Sequence, residues 1–309
     1  MTAVVANIAP AFVLIALGFA FKRSGWPGEA FWTPAERLTY FVLFPALLLR
    51  NLWAARLDGL PVAPMAAVIV CAAVAMTVVL LAARPAIGVP GPAFTSLAQS
   101  SIRFNTYLGV ALTAAFFGTE GVTLAAVYLA FMVPLGNFIC VGMLAAFADQ
   151  ERTSWPRIAF EIARNPLILA CLAGVALNAT GTALPPWIDR LLEILARAAL
   201  PIGLLCVGAG LDAAAVMARR ATVIVACLLK LVAMPAITWA ACLLVGLADL
   251  PMLILVLFNA LPAAPTSYVL ARQLGGDARL MAGILTAQTA LSAITLSALL
   301  AWSGGVAGT

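Results

Sequence analysis

Long apolar runs alternate with short polar connectors along almost the whole chain. A membrane-crossing helix needs roughly 20 predominantly apolar residues. Ten runs approach that length, at residues 3–21, 38–54, 64–83, 93–117, 122–148, 165–179, 196–211, 222–244, 251–272 and 280–302. The connectors hold turn formers, as in Ser24-Gly25-Trp26-Pro27-Gly28, Pro85 to Pro92 and Gly275-Gly276-Asp277. The most polar stretch, Asp149 to Arg164, separates the fifth run from the sixth and is too short for a soluble domain. The pattern predicts an all-α membrane protein with ten transmembrane helices, divided into residues 1–148, a linker at 149–164, and residues 165–309.

The two parts resemble each other. Ala66-Ala67-Val68-Ile69-Val70 returns as Ala221-Thr222-Val223-Ile224-Val225, 155 residues later; Pro45 with the leucines after it matches Pro201, 156 later; Leu57-Asp58 matches Leu211-Asp212, 154 later. Near-equal offsets in chain order argue for an internal repeat of five spans. Five is odd, so the second copy enters the membrane from the opposite side. Such inverted repeats mark transporters, with the site near the midplane at paired discontinuous helices.

Two spans behave least like membrane helices, and they occupy corresponding places. The fourth carries a dense polar run from Thr95 through Gln99, Arg103, Asn105 and Thr106 to Gly109. The ninth carries Asn259, Pro262, Pro265, Thr266 and Ser267, and its two prolines remove helix donors. Broken backbone in hydrocarbon must be packed in protein or line a wet cavity. It also points free N–H groups and a partial positive charge at the gap, which suits a carboxylate. The expected site is therefore an anion-accepting crossover built from Asn105, Thr106, Thr266 and Ser267; the alternative is a proline kink repaired by neighbouring helices.

Composition agrees with lipid as the main solvent: 64% of the 309 residues are hydrophobic and 9% charged, with a mean hydropathy of +1.10. The net charge of +5 is spread thinly between apolar runs, which excludes a nucleic-acid-binding face. With the N-terminus outside, Lys22, Arg23, Arg37, Arg84, Arg152, Arg157, Arg164, Arg219, Arg220, Arg272 and Arg279 fall in inside loops. Arg50, Arg56, Arg190 and Arg197 fall outside, so positive charge favours both termini on the outer face of the plasma (cell inner) membrane. Met1-Thr2-Ala3-Val4-Val5 has no basic region before the first run, which reads as a retained span and not a cleaved signal. The six cysteines lie in apolar runs without CxxC spacing, and histidine is absent, so no metal site or cofactor is expected.

Asn105-Thr106 followed by Gly109 and Leu112 resembles the Asn-Thr-x-x-x-Gly-x-Pro-Leu motif of the auxin efflux carrier family, which includes plant PIN transporters and compact bacterial carriers. Pro262, Tyr268-Val269-Leu270-Ala271 and Gly275-Gly276-Asp277 are similar to its ninth-span pattern, and Arg164-Asn165-Pro166 to its Arg-Asn-Pro. The resemblance implies two inverted five-helix repeats in which helices 4 and 9 are broken and cross at the substrate site, a fold shared with bile-acid symporters. It also implies a scaffold of helices 1, 2, 6 and 7 that often forms a homodimer, a mobile transport part made of helices 3–5 and 8–10, and a small organic anion as substrate. The family's fourth-span proline falls on Ala111, which leaves Gly109 to loosen that helix, and a family Asn falls on Thr266, with Asn259 the nearest amide. Matching Asn105 to Asn259 gives an offset of 154 and matching it to Pro262 gives 157; the family pattern favours the second.

Arg103 and Lys230 lie inside spans, where a charge costs at least about 2.5–3.5 kcal/mol on insertion scales. Arg103 either binds a substrate carboxylate or faces water at a half-helix end. Lys230 either stabilises crossover carbonyls as a fixed cation, or snorkels or pairs with backbone. No acidic residue is expected mid-span, so sodium coupling would rest on groups such as Gln99, Asn137 and Gln288. A secondary transporter of small carboxylates is the leading function. A sodium-coupled bile-acid-symporter-like carrier and a membrane sensor reusing the fold are the alternatives. An intramembrane enzyme lacks a nucleophile–base pair, and catalysis is not expected.

Overall fold

The computed structural model describes residues 2–54, 59–148, 164 and 166–306, and every regular element among them is helical. Most of the linker (149–163), Asn165, Arg56 and the Leu57-Asp58 repeat match lie outside the described residues. The helices are α1 (Thr2–Ser24), α2 (Glu29–Leu38), α3 (Phe44–Ala54), α4 (Val62–Ile87), α5 (Gly91–Ile102), α6 (Thr106–Phe147) and α7 (Pro166–Ala179). There follow α8 (Pro186–Ala209), α9 (Ala213–Ala218), α10 (Arg220–Leu228), α11 (Met234–Val245), α12 (Asp249–Ala260), α13 (Thr266–Gln273) and α14 (Ala278–Val306). By length and apolarity, five helical stretches among the described residues can cross a membrane: Val62–Ile87, Gly91–Phe147, Pro186–Ala209, Arg220–Val245 and Ala278–Ala301.

Prolines explain two local departures from α geometry. Thr39–Leu43 joins α2 to α3, and Leu229–Ala233 joins α10 to α11, each as a π turn. Each turn is followed at the same spacing by a proline, Pro45 and Pro235. A proline ring clashes with the carbonyl four residues back, here those of Phe41 and Leu231, and offers no N–H to it. Widening the turn by one residue moves that carbonyl off the ring, so the helix runs on instead of breaking. Further along, Gly118 (φ 56°, ψ −145°) interrupts α6 and turns the chain from one apolar segment into the next.

The helices pack in two groups. α1 lies along α8, and α3 lies against both α7 and α8. In the other group α4 packs on α11, α6 on α4, α5 and α12, and α14 on α5 and α10. Glycines set the closest approaches in the first group. A Cβ on Gly18 of α1 would lie 2.0 Å from the Leu205 carbonyl oxygen of α8, and one on Gly174 of α7 would lie 2.8 Å from the Leu49 carbonyl oxygen of α3. Small residues let membrane helices meet backbone to backbone, where dispersion and not the hydrophobic effect holds them. Gly18 and Gly174 are 156 residues apart, and so are Leu49 and Leu205. One contact is thus the sequence-shifted counterpart of the other.

Candidate functional site

Two short non-helical stretches interrupt the helices where the sequence reading expected breaks. The first, residues 103–105, separates α5 from α6, and the second, residues 261–265, separates α12 from α13. They touch: the Asn105 N–H donates to the Pro262 carbonyl at 2.8 Å. In the later break the cause is proline. Pro262 has no N–H and pushes Leu261 into extended backbone (φ −67°, ψ 150°). In the earlier break, where the proline is missing, Asn105 acts as an N-cap, its Oδ1 accepting the Leu108 N–H at 3.1 Å. Helix α6 restarts at Thr106 and α13 at Thr266, 160 residues apart, so the breaks correspond most nearly in the family-like register.

Gln288 of α14 fastens the crossover. Its Oε1 accepts the Ala263 N–H at 2.9 Å, and its Nε2 donates to the Ala226 carbonyl at 3.0 Å, with the Ser100 carbonyl at 3.5 Å. One amide therefore satisfies the Ala263 N–H freed by the later break and ties the crossover to α10. The aromatic rings of Phe104, Tyr128 and Phe258 close the far side, with centroids 4.8–5.6 Å apart.

The crossing stretches face two cavities, and residues of each stretch divide between them. Arg103, Phe104, Thr106, Ala264 and Thr266 line a first cavity of about 90 Å³ with Tyr40, Gly136 and Asn137. Asn105, Ala263 and Pro265 line a second of about 100 Å³ with Glu36, Cys206, Tyr268 and Thr289. In the first cavity the Arg103 guanidinium donates to Asn137 Oδ1 at 2.9 Å and to Thr266 Oγ1 at 3.0 Å. Both partners are neutral, and no acidic residue is among those lining this cavity. A guanidinium held this way keeps its full charge and its fork geometry for a carboxylate. The N-termini of α6 and α13, at Thr106 and Thr266, add partial positive charge at the same place.

The other candidates divide. Arg103, Asn105, Thr106, Pro262, Pro265 and Thr266 meet at the crossover, with Asn137 as the arginine's anchor. Ser267 is buried beside them, its hydroxyl without a partner. Gly109 does not loosen its helix: the break precedes it, and it serves close approach, since a Cβ there would lie 2.6 Å from Phe258 and 2.7 Å from Leu261. Asn259 sits inside α12, accepting from the Tyr128 hydroxyl at 2.9 Å and donating to the Leu255 carbonyl at 3.2 Å, away from both cavities. Lys230 is fully buried in the second π turn, and its Nζ bonds no crossover carbonyl. Gln99 is equally buried, with neither end of its amide partnered.

One residue the sequence reading missed is Glu36. The second span was placed from Leu38, whereas helix already runs from Glu29, and this carboxylate faces the second cavity. The signal was there: Trp32, Ala35 and Thr39 are buried at helical spacing and put Glu36 on the edge of the inward face.

Apolar helices of spanning length around an interrupted-helix crossover define a membrane-embedded, multi-pass protein of transporter type. Residues 152–300 match the family model described as membrane transport protein. This match supports the resemblance to the auxin efflux carrier family drawn from the motifs. No curated protein matches the chain.

Proposed function

We propose that the protein is a secondary transporter that carries a small organic anion across the plasma (inner) membrane by alternating access. The observation that carries this reading is Arg103: a half-buried guanidinium, anchored only by neutral groups, facing a cavity at the crossing of two broken helices. Such a site attracts one carboxylate strongly and has no feature that favours a cation. The cavity, of about 90 Å³, has room for several waters or an acid of a few carbons.

Alternating access needs two bodies, and the packing suggests them. The group of α1, α2, α3, α7 and α8 corresponds to the scaffold, and the group built from α4–α6 and α10–α14 to the transport part that carries the crossover. Ten crossings result when shorter and interrupted helices are counted, with residues 29–54, 91–117 and 249–273 each taken as one. The paired glycine contacts 156 residues apart support an inverted repeat, because exchanging the two halves maps one contact onto the other. Both termini outside follows from the loop charges, and a homodimer through the scaffold is part of the same proposal.

The test is uptake by proteoliposomes of labelled malonate and malate beside a neutral polyol and an organic cation. Saturable uptake of one or both acids is expected. Uptake confined to the neutral or cationic solutes would refute an anion carrier.

A further inference from the structure

The second cavity poses a chemical problem that the first does not. Asn105, one of the residues lining the cavity, is fully buried; its Oδ1 is committed to the Leu108 N–H, and its Nδ2 has no partner. A buried amide donor calls for an acceptor. Across the same cavity stands the Glu36 carboxylate, which has no ion-pair partner among the described residues. An anion that takes the Asn105 donor therefore meets a second carboxylate. Two carboxylates in one low-dielectric site cannot both stay ionised, and the stable arrangement holds one proton between them.

The groups around Glu36 leave that proton no other home. On its own helix Tyr40 lies one turn on, and Arg37 is exposed. Facing it are Tyr107 of α6, Cys206 of α8 and Tyr268 of α13. The charged residues of α8 stand toward its first half, where Asp189 and Glu193 engage Arg50, Arg190 and Arg197. Lys22 of α1 is paired with Glu29, and Arg272 of α13 and Arg279 of α14 are exposed. Among the described residues no cation answers Glu36 and no other carboxylate lines the cavity.

We propose that the second cavity is a proton-linked carboxylate subsite, in which Glu36 and the bound anion share one proton while the Asn105 amide donates to the anion. This rests on reading the protein as an organic-anion carrier. On binding, one proton comes from solvent and lies in a hydrogen bond between the two carboxyl groups; no covalent bond other than to that proton forms or breaks. The proton leaves with the anion, so each anion moves with one proton and a pH gradient drives uptake.

The test is titration calorimetry of purified protein with malate at about pH 7.5, where malate itself is ionised, in buffers of different ionisation enthalpy. Wild type is expected to take up about one proton per malate bound, and its affinity to fall about tenfold per pH unit on the alkaline side. Glu36→Gln is expected to bind with no proton uptake and a flat pH profile, and Glu36→Asp to keep the uptake. Malate binding without proton uptake in wild type, or uptake unchanged in Glu36→Gln, overturns the proposal and leaves the anion reading standing. Proton uptake that vanishes when choline replaces sodium also overturns it. Failure of wild type to bind malate or malonate at any pH removes the anion reading itself.

Discussion

Gly18→Ala puts the backbone contact between α1 and α8 to a direct test. The new Cβ would sit 2.0 Å from the Leu205 carbonyl oxygen, with that residue's carbonyl carbon and Cα at 2.8 and 2.9 Å. All three are backbone, so no side chain can swing aside, and α1 and α8 must part locally by about 1 Å or more. Overpacking of this kind costs about 1–3 kcal/mol, and a blocked backbone places it at the upper end. Replacing glycine by alanine inside a helix returns about 1 kcal/mol of propensity, which leaves a net loss of roughly 2 kcal/mol. Gly136→Ala is the control, since its nearest neighbours are at 3.9 Å and only the propensity gain applies. Thermal unfolding of purified protein in micelles, followed by tryptophan fluorescence, is expected to drop by several degrees for Gly18→Ala, at about 2–4 °C per kcal/mol. Gly136→Ala is expected to hold or rise. Gly174→Ala, with the Leu49 carbonyl oxygen 2.8 Å away, is expected to fall by less than its repeat counterpart. If Gly18→Ala melts with Gly136→Ala, the two helices are not in backbone contact and the packing described is wrong.

Three further substitutions separate fastening from chemistry. Asn105→Asp keeps an acceptor for the Leu108 N–H and so keeps the cap, but it adds negative charge at the crossover; unchanged melting with lost malonate uptake is expected. Gln288→Leu strands the Ala263 N–H, at about 1–3 kcal/mol for a buried group, and removes the side-chain donor to the Ala226 carbonyl, and the melting temperature should fall accordingly. Lys230→Met replaces a fully buried ammonium that has no hydrogen-bond partner with an apolar chain of similar length. Burying a polar group without a partner costs stability, so melting should hold or rise, and a fall would reveal a partner for that group.

Much of the crossover was legible because its causes are local. Pro262 and Pro265 break a helix wherever they stand, and Asn105 before an apolar run is a cap signal in any chain. The apolar spans were legible by length, although their starts were not: the polar first turns of α2 hid Glu36 in what reads as a connector. What could not be read is pairing across distance. Arg103 meets Asn137 and Thr266, 34 and 163 residues away, and Tyr128 claims Asn259, 131 residues away. Asn259 was placed in the site for its residue type, and only the tertiary contact shows that its amide is used inside α12. Gly109 misled for a similar reason. A glycine beside a break suggests flexibility, whereas here its missing Cβ makes room for Phe258 and Leu261.

The central claim is that an uncompensated guanidinium at the crossover recognises the transported anion. Its most direct test is labelled malonate uptake by proteoliposomes holding wild type or Arg103→Gln, each first shown to melt cooperatively. Glutamine can still reach toward Asn137 and Thr266 but carries no charge. Loss of one charge-assisted contact, at about 1.5–3 kcal/mol, predicts a fall in uptake efficiency of at least tenfold. Uptake by Arg103→Gln equal to wild type would contradict the account.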